Sequence, residues 1–340
     1  MATQRYNAGI QRAKGLLEIA AGLYDSSLSY QTRRAAENVL QTDTDLGRVL
    51  RLFVDTKKSE TRPEVTISFA TGSFREIIAV AEGKYSLAWV NPSVLLTMAY
   101  RGTGPYPRKL PLRTIAVFPS YDVMGFAVHQ STGITSLLQI AKERIPLRLS
   151  TGVIPKTSLT GNATMFTVSA VMGAAGFTFA DLRHWGANLH SAPRPSDPSR
   201  RKGIESGTIN AVFDEGIKSW GKTAIEHGFR FLPIDGALLK KMKALGYRPA
   251  MMTKTRFNAL TEDLQTIDFS GWPMIVRADM PIKVAYALCE AIEKRQNLIP
   301  TDNYKPLNIA QLCANDEEAP YDVPLHPAAR RFYRQRGYLK

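Results

Sequence analysis

The apolar positions along the chain fall into short continuous runs separated by stretches with helical spacing. "LLEIAAG" (16–22) predicts a strand, "LYDSSLSY" a polar loop and "QTRRAAENVL" a helix. "LGRVLRLFVDT" (46–56) has helical spacing and predicts an extra or extended helix. "EVTISFATGS" (64–73) is a strand that opens the helix "FREIIAVAEGK", with Gly83 suited to a left-handed cap at its end. "SLAWVNPS" (86–93) repeats the pattern: an apolar strand, a polar end, then the helix "VLLTMAYRG".

"RTIAVFPS" and "VMGFAVHQ" are adjacent strands that either pair or cross between lobes. A helix follows in "STGITSLLQIAKE", opened by a cap-like Ser131-Thr132-Gly133. A second series runs through the strand "PLRLSTG" (146–152), the loop "VIPKTSLTGN" and the helix "ATMFTVSAVMGAAG". Beyond it, "DPSRRKGIESG" reads as a helix, and "TINAVFDEG", "FRFLPID" and "SGWPMIVRADM" read as strands. "PIKVAYALCEAIEKR" is a helix with Pro281 near its first turn, where proline is tolerated. Strand-then-helix order repeated in two series predicts an α/β fold of two doubly wound, parallel-sheeted lobes facing each other across a cleft.

Composition narrows the class. The chain has 340 residues, 44% of them hydrophobic, enough for a large core and two lobes. Its apolar windows are too short to span a bilayer. The net charge of +14 raises the question of a polyanionic partner. The basic residues lie in scattered clusters, such as Arg33-Arg34, Arg200-Arg201-Lys202 and Arg330-Arg331, without interleaved aromatics. That pattern reads as a solvated basic surface and argues against nucleic acid. Cys289 falls on a helical apolar face and reads as a buried thiol; a bridge to Cys313 stays open. The five histidines show no ligand spacing, which argues against a metal site. The N-terminus shows no secretory signal.

The candidate chemistry lies at strand ends. Asp25-Ser26-Ser27, Thr71-Gly72-Ser73, Asn91-Pro92-Ser93, Ser131-Thr132-Gly133 and Thr160-Gly161-Asn162 are small polar tripeptides before helices. Each can cap a helix; together, on one edge of two sheets, they suit a carboxylate or other polar small molecule. Asp214 and Glu215 follow a buried strand, as ligand-facing carboxylates, acid/base groups, or a cap and a solvated side chain. Walker, GxGxxG and GxSxG motifs are absent where they would be needed, so nucleotide binding and serine hydrolysis have no support.

Four segments carry a resemblance: "EGKYSLAWVNPSVLLTMAYRGTGPY" (82–106), "GAAGFTFADLRHW" (173–185), "IESGTINAVFDEG" (204–216) and "PLHPAARRFYRQRG" (324–337). In them the chain resembles the TAXI-type solute-binding proteins of TRAP transporters, from about residue 16 onwards. The resemblance implies a periplasmic-binding-protein-like type II fold: a discontinuous first lobe (1–125 plus 266–340) and a second lobe (126–265) joined by a hinge. It implies capture of an amino acid or organic acid in the interlobe cleft, a TRAP permease as partner, a periplasmic location, and neither cofactor nor catalytic residue. Ligand contacts would come from Ser26, Ser27, Tyr30, Asn91 and Ser93 in the first lobe. In the second they would come from Thr151, Gly152, Thr160, Asn162 and Phe213, with Asp214 and Glu215 where the family usually has small residues. The missing export signal keeps an alternative open: a cytoplasmic lyase- or decarboxylase-like enzyme on the same fold.

Overall fold

A computed structural model describes residues 50–54, 65–69, 74–85, 87–155, 162–294, 296 and 307–340. Numbered in chain order over those residues, the first elements are β1 (Leu50–Val54), β2 (Val65–Phe69), α1 (Phe74–Ala81), β3 (Leu87–Trp89), α2 (Val94–Arg101) and β4 (Leu112–Phe118). Next come β5 (Gly125–His129), α3 (Leu137–Glu143), β6 (Arg148–Thr151), α4 (Ala163–Ala175), α5 (Phe179–His184), β7 (Asn188–Ser191) and α6 (Pro198–Glu205). They are followed by β8 (Ala211–Asp214), α7 (Gly221–Glu226), β9 (Phe229–Phe231), α8 (Gly236–Leu245), β10 (Pro249–Met252) and β11 (Leu264–Ile267). The last are β12 (Trp272–Arg277), α9 (Ile282–Lys294) and α10 (Pro327–Gln335). The chain divides into two compact units, residues 1–121 with 270–340, and residues 122–269.

The first unit holds a sheet in the order β1-β2-β3-β12-β4. β12 lies between β3 and β4 and is antiparallel to both. Its middle residues Met274, Ile275 and Val276 are fully buried, as a central strand covered on both faces requires. Helices α9 and α10 cover the sheet: Leu288 and Ile292 from one, and Phe332 and Tyr333 from the other, join Trp89, Ile115 and Val276 in one core. α10 starts with Pro327 behind the cap His326, whose ring accepts the Ala328 N–H at 3.2 Å. Its buried residues 328, 329, 332 and 333 share one face, and its arginines are exposed on the other.

The second unit holds the sheet β7-β6-β8-β5-β9, with a separate β10–β11 hairpin-like pair. β6 runs parallel to β7 and β8, whereas β5 is antiparallel to β8 and β9. Both sheets are therefore mixed, not uniformly parallel as the strand–helix alternation predicts. β5 directly follows the crossing from the first unit and β12 directly follows the return. Neither is fed by a crossover helix, and parallel neighbours need one.

Other expectations change as well. Residues 50–54 form a strand, not a helix: Leu50 pairs with Phe69 and Val54 with Val65 in an antiparallel ladder. The alternation of Leu50, Leu52 and Val54 fits that role, and strand pairing wins over the helical spacing of the wider window. The α3 helix begins after Ser136, which accepts the Gln139 N–H; residues 130–132 form a separate 3-10 turn. Cys289 and Cys313 are both free and buried, with no bridge between them. Burial pushes the Cys289 thiol up to about 12, so neither redox nor nucleophilic chemistry is expected there. Arg200 is wholly buried, so it is not part of a solvated basic surface. Among the described residues no helix is long and apolar enough to cross a membrane. None of their His, Cys, Asp and Glu side chains form a group of three able to hold a metal.

Candidate functional site

Two strand ends, one in each unit, carry the described candidates; Ser26, Ser27, Tyr30 and Thr160 lie outside the described residues. In the first unit, β3 ends at Trp89, whose indole N–H donates to the Trp272 carbonyl at 2.7 Å and whose ring packs on Phe118. The Val90 N–H continues the pairing to the Pro273 carbonyl at 3.1 Å. A cis Asn91–Pro92 bond follows. Asn91, half-buried, donates through Nδ2 to the Gly271 carbonyl at 3.0 Å, and the Ser93 N–H donates to the Ser270 carbonyl at 3.1 Å. The entrance to α2 is thus tied to the start of β12.

Ser93 then departs from what a capping serine does. Its backbone is already helical and its side chain makes no cap hydrogen bond. The hydroxyl is buried and has no partner among the described residues. Gly271 accounts for its position: a Cβ there would stand 2.5 Å from Ser93 Oγ, and its φ of +83° is one that L side chains rarely adopt. A buried hydroxyl without a partner costs on the order of 1–3 kcal/mol. At a helix N-terminus, where N–H groups and the dipole favour negative charge, it is a ready donor to an anion.

The second unit brings Thr151, Gly152, Asn162, Phe213, Asp214 and Glu215 to the carboxyl ends of the parallel strands β6 and β8. Most of their polar groups are already satisfied. Thr151 donates to the Phe213 carbonyl at 2.7 Å. Asn162 caps α4 by accepting the Met165 N–H at 2.9 Å, and Gly152 leaves room for the Met165 sulfur. Phe213 is fully buried against the Phe126 ring, with centroids 5.0 Å apart.

Asp214 is buried and bonded to the guanidinium of Arg200. Arg200 also donates through Nε to Ser150 Oγ at 3.0 Å and through Nη1 to the Pro195 carbonyl at 3.2 Å. Ser150 meets His190 Nδ1 at 3.0 Å; His190 Nε2 meets Ser199 at 3.1 Å; and Ser199 donates to Asp197 at 2.6 Å. These bonds, and the Ser150 hydroxyl proton, are all satisfied when Ser150 donates to Nδ1 and neutral His190 donates from Nε2. Burial and the Arg200 charge push the His190 pKa down, in the direction that favours the neutral ring.

Glu215 differs from its neighbour. It is half-buried and hydrogen-bonded to Asp122, which accepts the Val123 N–H at 2.8 Å and the Gly216 N–H at 3.1 and 3.2 Å. Burial first, then the Asp122 and Asp214 charges, push the Glu215 pKa well above the ordinary carboxyl range. Asp122 is raised too, by burial, against the opposing effect of its hydrogen bonds. Both shifts favour a proton held between the two carboxyls. Sequence reasoning missed Asp122, Arg200 and Gly271. Asp122 and Gly271 sit at strand boundaries without a motif, and Arg200 stands in a run that looks solvated.

The model of the NMT1-like family matches residues 45–337. The chain belongs to the NMT1-like family. The match includes both strand ends described above. Among solved structures, the chain is similar to a TctC solute-binding protein from Polaromonas, with 13% identity, 77% of this chain and 80% of that one covered, and a TM-score of 0.36. It is also similar to the alkanesulfonate-binding protein SsuA from Xanthomonas axonopodis pv. citri, with 12% identity, coverage of 79% and 82%, and a TM-score of 0.29. A third is the glycine/betaine/L-proline-binding protein ProX from Borrelia burgdorferi, with 12% identity, coverage of 69% and 85%, and a TM-score of 0.35.

Proposed function

We propose that this protein is a solute-binding protein of the TAXI type, exported to the periplasm and serving a TRAP permease. Its ligand is a small molecule bearing a carboxylate, an amino acid or an organic acid. The observation that carries the reading is Ser93: a buried hydroxyl without a partner, at the N-terminus of α2, beside the half-buried Asn91. A ligand carboxylate there accepts the hydroxyl proton and faces the positive end of the helix. Within the second unit, Gly152, Asn162 and Glu215 remain the candidates, because Thr151, Phe213 and Asp214 are enclosed.

The test is a thermal-shift screen of amino acids, keto acids and aromatic acids against the full chain. A ligand that binds only the folded state raises the melting temperature. Ser93→Ala is expected to weaken that ligand about tenfold, the worth of one hydrogen bond to a charged group. Unchanged affinity in Ser93→Ala would remove the site from α2. A second reading, a lyase-like enzyme, draws on the proton shared by Asp122 and Glu215, an arrangement suited to acid/base work. It requires product from the bound compound and loss of turnover in Glu215→Gln. A ligand recovered unchanged after long incubation excludes it.

A further inference from the structure

The other end of α2 holds a second built feature. From Ser93 the helix runs about 12 Å along its axis to Arg101. Gly102 ends it in the left-handed conformation, φ +72°, and a Cβ there would lie 2.7 Å from the backbone of Arg108 and Lys109. Only glycine lets that segment fold back against the helix end, where the Leu110 N–H donates to the Ala99 carbonyl at 2.9 Å. On the facing side the Ala278 N–H donates to the Pro111 carbonyl at 2.7 Å. These backbone bonds frame a cavity of about 480 Å³.

Arg101, Lys109 and Arg113 line it, with Tyr100, Leu110 and Pro111 as an apolar wall and no acidic side chain in the lining. Asp322 accepts from Thr97 Oγ1 at 3.0 Å and pairs with Arg101 at 3.7 Å, so it partly offsets that charge; Asp279 binds Arg277 at 2.6 Å. Two carbonyls of the last turn of α2 are already bonded. Met98 O accepts the Gly102 and Thr103 N–H groups at 2.8 and 3.0 Å, and Ala99 O accepts Leu110.

We propose that this cavity binds a phosphate-bearing group, at a site separate from the one at Ser93. Two guanidinium groups, of which Arg113 already gives Nη1 to the Leu112 carbonyl at 2.8 Å, and an ammonium suit a dianionic phosphate better than a single carboxylate. The apolar wall suits the organic part of a phosphate ester, and the volume is that of a small-molecule site. Either a soluble phosphate ester or the headgroup of an anionic lipid supplies this chemistry.

The experiment uses the full chain, glycerol 3-phosphate, and vesicles of phosphatidylglycerol or phosphatidylcholine. Glycerol 3-phosphate near saturation is expected to raise the melting temperature by about 5 °C. The shift is expected to vanish in Arg101→Gln/Lys109→Gln and to shrink in Lys109→Gln alone, an exposed position where substitution is expected to leave the fold intact. It should persist in Ser93→Ala. Sedimentation with phosphatidylglycerol vesicles only, abolished by the same cavity variants, assigns the group to lipid; a response to glycerol 3-phosphate alone assigns it to a soluble ester. The absence of both a shift and sedimentation with phosphatidylglycerol vesicles in the wild-type chain, an equal response in the cavity variants, or its loss in Ser93→Ala each overturns the proposal.

Discussion

The strand ends of β3 and β8 look alike in sequence, apolar residues giving way to small or polar ones, yet they are in opposite states. At β3, Ser93 keeps a buried hydroxyl without a partner among the described residues. At β8, Asp214 is saturated by Arg200, and a directed chain through Ser150, His190 and Ser199 supports that ion pair. In the proposed reading unsatisfied polarity is open to a ligand, whereas satisfied polarity fixes the scaffold. Glu215 stands between the two, bonded to Asp122 but half-buried, with its pKa pushed up by burial and the neighbouring carboxylates.

The sharpest way to break this contrast is Arg200→Met. It leaves Asp214 buried without its counter-charge, and a loss of about 3–5 kcal/mol is expected in urea unfolding. Adding Asp214→Asn should restore part of that loss; if Arg200→Met alone is neutral, the ion pair is not what fixes the β8 end. Gly271→Ala is expected to cost about 2–3 kcal/mol, from the positive φ and the contact with Ser93. Part should return in the Ser93→Ala background, because the overlap with Oγ goes while the backbone strain stays.

Glu215→Gln addresses pH. The folded pKa of Glu215 is raised, so the native chain holds a proton the unfolded chain releases. The stability this contributes is full below the unfolded carboxyl value of 4.5 and is lost as pH rises through the folded pKa. The variant should flatten that fall in a series of urea unfolding curves, and an unchanged slope would place the proton elsewhere. The smallest effect belongs to Ser93→Ala. With no hydrogen bond to lose, its stability should stay within about 0.5 kcal/mol of wild type or rise slightly. A loss above about 2 kcal/mol would mean that the hydroxyl serves the fold rather than a ligand.

Much of this was legible in the residues. "SLAWVNPSVLLTMAYRG" announces β3, its polar end and α2, because an apolar run and a helical period are local properties. The "TINAVFDEG" strand and the helix over 163–175 are legible on the same ground. The 46–56 window misled, since Leu50, Leu52 and Val54 satisfy a strand as readily as a helix and only β2 decides between them. The parallel sheets failed for a related reason: direction belongs to the partner strand, and β5 and β12 arrive from the other unit.

The candidate site divides in the same way. Asn91, Ser93, Asp214 and Glu215 could be picked out by type and place, but not which hydroxyl is left without a partner or which carboxyl keeps its proton. Those depend on Gly271, Arg200 and Asp122, which are 178, 14 and 93 residues away from Ser93, Asp214 and Glu215 respectively. The sequence by itself determined the α/β elements and the chemical types at their ends, because periodicity and residue type act over a few neighbours. Only the tertiary structure decided satisfaction, burial and charge state, because a side chain's partner and its local dielectric are set by chain segments brought together on folding.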